Sequence, residues 1–202
     1  MATQLLIATS NPGKSIEMKD LLRNLRVELL TLKDVGIAVH PEETGLTYTE
    51  NAIHKAKFYC SISGLLTLAD DTGLEVDALD GQPGLHSARF SRLLNASDED
   101  RRRLLLEKLS AMPRPWTAQF TCTVALAQPQ GKTITSSGVS RGEIIPEGRG
   151  VNGFGYDPIF LFPELHKTMA ELSMHEKNQI SHRARAVKEL LPIIQSLTEK
   201  YE

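Results

Sequence analysis

Apolar and polar positions along this chain change period in a way that predicts alternating strands and helices. Leu5-Leu6-Ile7-Ala8 is a short apolar run bounded by a turn, as expected of a buried strand. Beyond Lys14, the residues Met18, Leu21, Leu22 and Leu25 recur at helical spacing with Glu17, Lys19, Asp20 and Arg23 between them, which predicts an amphipathic helix. Val27 to Leu30 reads as a second strand, residues 40–45 as a loop, and residues 49–63 as a helix with Ala52, Ala56 and Tyr59 facing inward. Leu65-Leu66-Thr67-Leu68-Ala69 is a third strand, predicted to end on Asp70-Asp71. Leu74, Val76 and Ala78 then alternate with Glu75 and Asp77, as in a strand with one wet face.

Farther along, Ser97 with Asp100 forms a variant capping box ahead of Leu105, Leu109 and Met112. Ala118, Phe120, Cys122, Val124 and Leu126 give the clearest alternation in the chain. Pro129-Gln130-Gly131-Lys132 predicts a turn into a polar strand over 132–137, with a further strand near 140–145. A last helix is expected from about Ser181 through Ala184, Val187, Leu191, Ile194 and Leu197, kinked or interrupted at Pro192.

Composition narrows the class of protein. The 202 residues are 41% hydrophobic, enough to bury one core, and they read as a single domain over 1–202. Formal net charge is −2 with no basic stripe, which argues against a polymeric nucleic acid partner. The Arg101-Arg102-Arg103 run after Asp98-Glu99-Asp100 reads as a solvated helical turn. The start, Met1-Ala2-Thr3-Gln4, lacks a basic region, and its apolar run is too short for a leader or a membrane span. Cys60 and Cys122 lack metal or redox spacing and are expected as buried thiols of a cytoplasmic protein.

Four polar segments carry candidate chemistry. Thr9-Ser10-Asn11-Pro12-Gly13-Lys14 follows a strand and opens a helix, a placement suited to phosphate oxygens. It is one residue short of a Walker loop, with Ala8 where that loop has Gly, and Pro12 lacks an N–H. A P-loop phosphotransferase is therefore a poor fit, and a plain tight turn is the competing reading. Asp70-Asp71-Thr72-Gly73 places two carboxylates in sequence, either as a turn or as ligands for Mg²⁺, with Glu42-Glu43 as a second acidic pair. Phe154-Gly155-Tyr156-Asp157 offers ring faces and a carboxylate to a base, or a glycine-rich turn. Lys177, Ser181, His182 and Arg183 supply cations for a polyphosphate or keto oxygen, or an ordinary helix start.

These segments, in this order, resemble the inosine/xanthosine triphosphate pyrophosphatase (ITPase-like) family from about Leu5 to Leu191. The matching stretches are E-E-T-G-L-T-Y-T-E-N-A at 42–52, A-D-D-T-G-L at 69–74, P-G-L-H-S-A-R at 83–89, G-F-G-Y-D-P-I-F at 153–160 and E-K-N-Q-I-S-H-R at 176–183. His86 stands where tyrosine is usual and Asn152 where glycine is.

The resemblance implies an elongated α/β fold of two lobes around a long mixed sheet, with the nucleotide in the cleft between the lobes. It also implies a homodimer that uses Mg²⁺ to split ITP, dITP and XTP into monophosphate and pyrophosphate. Carried over by motif, Thr9, Ser10, Asn11, Pro12, Gly13 and Lys14 hold phosphates, Glu43 and Asp71 hold metal, and Asp71 is the general base. Thr72, Phe154, Gly155, Tyr156, Asp157, Lys177, His182 and Arg183 contact the nucleotide. Arg183, a donor-only group, is expected to read the 6-keto acceptor that adenine lacks. A nucleotide sensor without turnover and a pyrophosphatase of modified or pyrimidine nucleotides are the other readings.

Overall fold

The computed structural model describes residues 3–91 and 93–199; Met1 and Ala2, part of the segment read above for a leader, lie outside them. Eight strands form one mixed sheet: β1 (Gln4–Ile7), β2 (Glu28–Thr31), β3 (Leu66–Val76), β4 (Pro83–Gly84), β5 (Trp116–Ala127), β6 (Thr133–Ile144), β7 (Phe160–Phe162) and β8 (Lys167–Thr168). Their order is β2-β1-β3-β5-β6-β7-β8, with β4 beside β3. β1 runs parallel to β2 and β3, whereas the β3–β4, β6–β7 and β7–β8 pairs are antiparallel. The α-helices are α1 (Pro12–Leu22), α2 (Tyr48–Ser63), α3 (Asp98–Leu109), α4 (Met174–Ile180) and α5 (His182–Glu199). This is the mixed α/β class that the sequence predicts.

The described residues fall into two compact units. The first takes the chain up to Asp71, then Cys122–Gly138, and then from Arg183 onward. Strand alternation sorts its side chains by face. Leu5, Ile7, Leu68, Cys122, Val124 and Leu126 pack with Met18 and Leu22 of α1 and with Ala186, Val187, Leu190 and Ile194 of α5. The intervening Leu6, Ala8, Ala69, Ala125 and Ala127 pack with Ala52, Ala56 and Tyr59 of α2. Each fully buried leucine or isoleucine contributes roughly 1.5–3 kcal/mol by leaving water. α1 starts where Asn11 Oδ1 accepts the Lys14 N–H and Pro12 occupies the first turn. α2 is capped by Thr47 and ends at Gly64 in the left-handed conformation.

The second unit comprises Thr72–Thr121 and Val139–His182. Leu74 and Val76 of β3, Leu105 and Leu109 of α3, Trp116 and Phe120 of β5, and Tyr156, Phe160 and Met169 form its core. The Ser97–Asp100 capping box is present at the start of α3, and Ser173 with Glu176 builds another at α4.

Several boundaries differ from expectation, each for a physical reason. The run 66–76 is one strand, so Asp70 and Asp71 sit inside a ladder and not on a turn. Residues 133–144 likewise form one strand where two were expected. α5 passes through Pro192 without interruption; its apolar stripe of Val187, Leu190 and Ile194 is held in the core on both sides of the missing N–H. Residues 174–180 form a helix of their own, and Ser181 is the extended residue separating it from α5. Both cysteines are buried thiols outside any disulfide, as expected. No helix among the described residues is long and apolar enough to cross a membrane.

Candidate active site

The first unit gathers two charged clusters around β3. Because consecutive strand residues face opposite ways, Asp70 and Asp71 do not form a side-by-side pair. Asp70 lies on the face covered by α1 and α5. Its Oδ2 accepts from Lys14 Nζ at 2.9 Å and from Arg183 Nη2 at 3.3 Å. Arg183 also pairs with Glu17 of α1. All of these groups are buried except Lys14, which is partly exposed at the start of α1. Burial opposes ionisation of Asp70, but Lys14, Arg183 and Lys55 outweigh it and hold its carboxyl far below the usual carboxylate range. For Arg183, burial is likewise outweighed by Glu17 and Asp70, which push its guanidinium further toward the charged form.

Asp71 lies on the α2 face. Its Oδ1 accepts from Lys55 Nζ at 2.8 Å and its Oδ2 from Asn51 Nδ2 at 3.2 Å. Lys55 Nζ is also 2.8 Å from Glu43 Oε1. One ammonium therefore sits against both carboxylates assigned to metal. Burial raises the Asp71 carboxyl above its ordinary value, only partly countered by Lys55 and Lys14. Asn51 ties this cluster to the loop before α2: its Oδ1 accepts the Gly45 N–H at 2.8 Å. A Cβ at Gly45 would meet that oxygen at 2.6 Å, so the E-E-T-G turn needs glycine there.

Glu43 and Asp71 fit a hard divalent cation. They are oxygen donors close enough to share a single positive charge, as Lys55 demonstrates. Among the described residues no group of three or more histidine, cysteine or acidic side chains is arranged to hold an ion. Two carboxylates completed by substrate oxygens and water are the pattern Mg²⁺ accepts.

Of the 9–14 segment, Thr9 Oγ1 accepts the Asn11 N–H at 3.2 Å, and Asn11 caps α1 as described. Ser10, Asn11 and Pro12 are exposed, and Gly13 and Lys14 half-buried, so this edge of the first unit faces solvent. Thr72 follows Asp71 within β3.

In the second unit, residues 153–157 form a tight loop around the Asp157 carboxylate. Asp157 Oδ2 accepts the Phe154 N–H at 2.9 Å and pairs with Lys177 Nζ at 2.5 Å. Lys177 Nζ lies 5.3 Å from the Phe154 ring centroid. A Cβ on Gly153, whose φ is +73°, would fall 2.0 Å from the same carboxylate oxygen, so no other residue fits. Tyr156 is buried and donates its hydroxyl to the Ser87 carbonyl at 3.0 Å, which ties the 83–89 motif to this loop. Burial raises the Tyr156 hydroxyl well above the phenolic range, so it remains a donor. His182 stacks on Phe120 with ring centroids 4.7 Å apart.

The structure thus places Lys14 with Asp70 and, separately, Glu43 and Asp71 around Lys55 in the first unit, and brings together Phe154, Gly155, Tyr156, Asp157 and Lys177 in the second. Arg183, expected at a keto oxygen, has Glu17 and Asp70 of the first unit as partners. Sequence reasoning missed Glu17, Asn51 and Lys55. A signal was present: Asn51 and Lys55 are four residues apart beside Ala52 and Ala56, polar positions on a helix face otherwise built for burial. It also missed Asp98 and Arg102. The arginine run is not simply solvated, since Arg102 Nη1 donates to the Gly155 carbonyl at 2.6 Å and Asp98 accepts the Gly155 N–H at 2.7 Å.

Comparison with known proteins places the chain in a family. The model of the Ham1 family matches residues 5–193. A protein of Exiguobacterium sp. named dITP/XTP pyrophosphatase is 48% identical over 187 residues, covering 93% of this chain and 94% of that protein. One of the same name from Geobacter sulfurreducens is 48% identical over 186 residues, covering 92% and 93%. The solved structure of a HAM1 protein from Coxiella burnetii matches with a TM-score of 0.85 at 40% identity, over 96% of this chain and 99% of that one. The Staphylococcus aureus Ham1 protein gives 0.81 at 38%, over 99% and 100%. A fold, a motif set and a level of identity that agree over nearly the whole length have one reading: this chain belongs to the Ham1 family.

Proposed function

We propose that this protein hydrolyses ITP, dITP and XTP to the nucleoside monophosphate and pyrophosphate. The observation that carries the reading is the buried Asp71 carboxylate, raised in basicity by burial and sharing one cation with Glu43. The names borne by relatives of this length and identity support the substrate class.

Glu43 and Asp71 are the residues that would hold Mg²⁺, which supplies charge neutralisation at the phosphates and a more acidic water. Asp71 takes the proton from the water that attacks the α-phosphorus, a role worth roughly 10²–10⁴-fold in rate. Lys55 holds the Asp71 carboxylate by its Oδ1 and Asn51 by its Oδ2, so the base has a defined orientation. Lys14, on the first turn of α1 and aimed by Asp70, complements the charge on the phosphoryl oxygens and on departing pyrophosphate.

Base choice is assigned to the second unit. Phe154 offers a ring to a planar base, and Lys177 places a donor-only ammonium beside that ring. A 6-keto oxygen satisfies such a donor, whereas the 6-amino group of adenine confronts it with another donor. Thr72 and His182 are the remaining substrate contacts in this reading. Arg183 acts chiefly through Asp70 and Lys14 on the phosphate side, because its guanidinium is held by two carboxylates there.

The protein is further read as cytoplasmic, supported by buried thiols outside any disulfide, and as a homodimer, supported by the family resemblance; sedimentation at micromolar concentration tests the dimer. The activity is tested by a panel of ITP, dITP, XTP, GTP and ATP with pyrophosphate and orthophosphate measured separately. Pyrophosphate from the first three, with GTP and ATP poor, is expected. Orthophosphate as first product, ATP as best substrate, or binding without product contradicts the reading.

A further inference from the structure

The first two turns of α3 hold Gly155 by both its N–H and its carbonyl. Asp98 Oδ2 accepts the Gly155 N–H at 2.7 Å, and Arg102 Nη1 donates to the Gly155 carbonyl at 2.6 Å. Asp98 and Arg102 are four residues apart and so share a helix face. That face continues into Leu105 and Leu109, which are fully buried in the core of the second unit. The clamp is therefore mounted on an anchored helix. Asp98 is steadied in turn by Arg101, which also donates to the Ala96 carbonyl at 2.6 Å.

Gly155 is where such a clamp has most effect. Its φ is +59°, in the left-handed region, and its glycine backbone has more freedom than its neighbours. Phe154 is held on one side by Asp157 and Tyr156 on the other by the Ser87 carbonyl. The Gly155 peptide between them has the α3 pair as its holders. Fixing it sets the direction of the Phe154 ring relative to Lys177.

We propose that Asp98 and Arg102 are positioning residues for base recognition, holding Gly155 so that the 153–157 loop presents Phe154 to the purine. The proposal rests on the reading that this loop takes the base. Burial disfavours the Asp98 carboxylate, but the Gly155 N–H and Arg101 overcome it and keep the group ionised below the usual range. Charge-assisted hydrogen bonds of this kind are stronger than neutral ones, which suits a part that must not drift.

The test compares wild type with Asp98→Ala, Asp98→Asn and Arg102→Ala, with Arg103→Ala as control, since Arg103 is exposed and pairs with Asp100. Steady-state kinetics on ITP are measured alongside inhibition by inorganic tripolyphosphate, a probe with phosphates and no base. In Asp98→Ala and Arg102→Ala the KM for ITP should rise roughly tenfold, the scale of one lost charge-assisted hydrogen bond, with kcat within about threefold. The tripolyphosphate inhibition constant should stay unchanged. Asp98→Asn, whose amide oxygen still accepts the Gly155 N–H, should recover most of the affinity, and Arg103→Ala should match wild type. A wild type that releases no pyrophosphate from ITP defeats the underlying functional reading. A wild type that does so, with unchanged KM in both alanine variants or equal weakening of ITP and tripolyphosphate, overturns the clamp.

Discussion

Asp70 and Asp71 are consecutive, yet β3 turns their carboxylates to opposite faces, one 2.9 Å from Lys14 Nζ and the other 2.8 Å from Lys55 Nζ. The two acids have opposite electrostatic characters as a result. Asp70 has lost its exposure but gained cations that overcompensate, so it is an anchor. Asp71 is buried with weaker compensation, so its ionised form is held at a cost to the fold and is correspondingly more basic.

Substitutions at the two positions should therefore move stability and rate in different ways. The folded-state pKa of Asp70 is depressed, so its contribution is present above the unfolded carboxylate pKa of about 4 and lost as pH falls through the folded value. Asp70→Asn should lower Tm at neutral pH and remove that slope from the acid side. Asp71 has the opposite sign: its folded-state pKa is raised, so ionisation at neutral pH opposes folding. Asp71→Asn should keep or raise Tm while lowering kcat by roughly 10²-fold or more. Thermal melts from neutral pH down to about 3, with turnover at saturating Mg²⁺, check both; a Tm loss in Asp71→Asn larger than in Asp70→Asn contradicts the assignment.

In the proposed mechanism, Glu43→Gln removes one of two charged ligands and leaves the base in place. The Mg²⁺ concentration for half-maximal rate should rise at least about tenfold, with kcat at saturation changed far less. A titration of rate against Mg²⁺ decides it. An unchanged midpoint would take Glu43 out of the metal set.

In the proposed mechanism, Arg183 and Lys177 separate phosphate-side from base-side effects. Arg183→Met breaks a buried pair with Glu17 and Asp70, an event that costs about 3–5 kcal/mol in comparable sites, so it should be assayed well below its own Tm. Its kcat/KM should fall for ITP and ATP alike, leaving their ratio flat. Lys177→Met should reduce that ratio roughly tenfold, because a donor facing the 6-position is worth on the order of 1–3 kcal/mol in discrimination. A collapse of the ratio in Arg183→Met with none in Lys177→Met would move base reading to Arg183.

How much of this was legible in the sequence varies with the range of the interaction. Local signals were strong: the Ser97–Asp100 box and the alternation through Phe120 to Leu126 appear where the pattern puts them, whereas α1 begins at Pro12, ahead of the start expected beyond Lys14. The face assignment of Asp70 and Asp71 was hidden because acids beside Gly73 resemble a turn, whereas the ladder carries β3 straight through them. Lys55 was overlooked since a lone lysine on a helix is ordinarily solvated, and only the fold brings Glu43 and Asp71 to it. The contact of Arg102 with Gly155 spans 53 positions and leaves no periodic trace. Arg183 illustrates the limit from the other direction: its motif is recognisable, but the chemistry of a guanidinium does not reveal which carboxylates will hold it.

The central claim is that water, activated by Asp71, attacks the α-phosphorus of ITP. It is tested most directly by running the reaction with Mg²⁺ in ¹⁸O-labelled water and weighing both products by mass spectrometry. The account predicts one ¹⁸O atom in the inosine monophosphate and none in the pyrophosphate. Label in the pyrophosphate, or orthophosphate as the first product, would place the attack at a different phosphorus and contradict it.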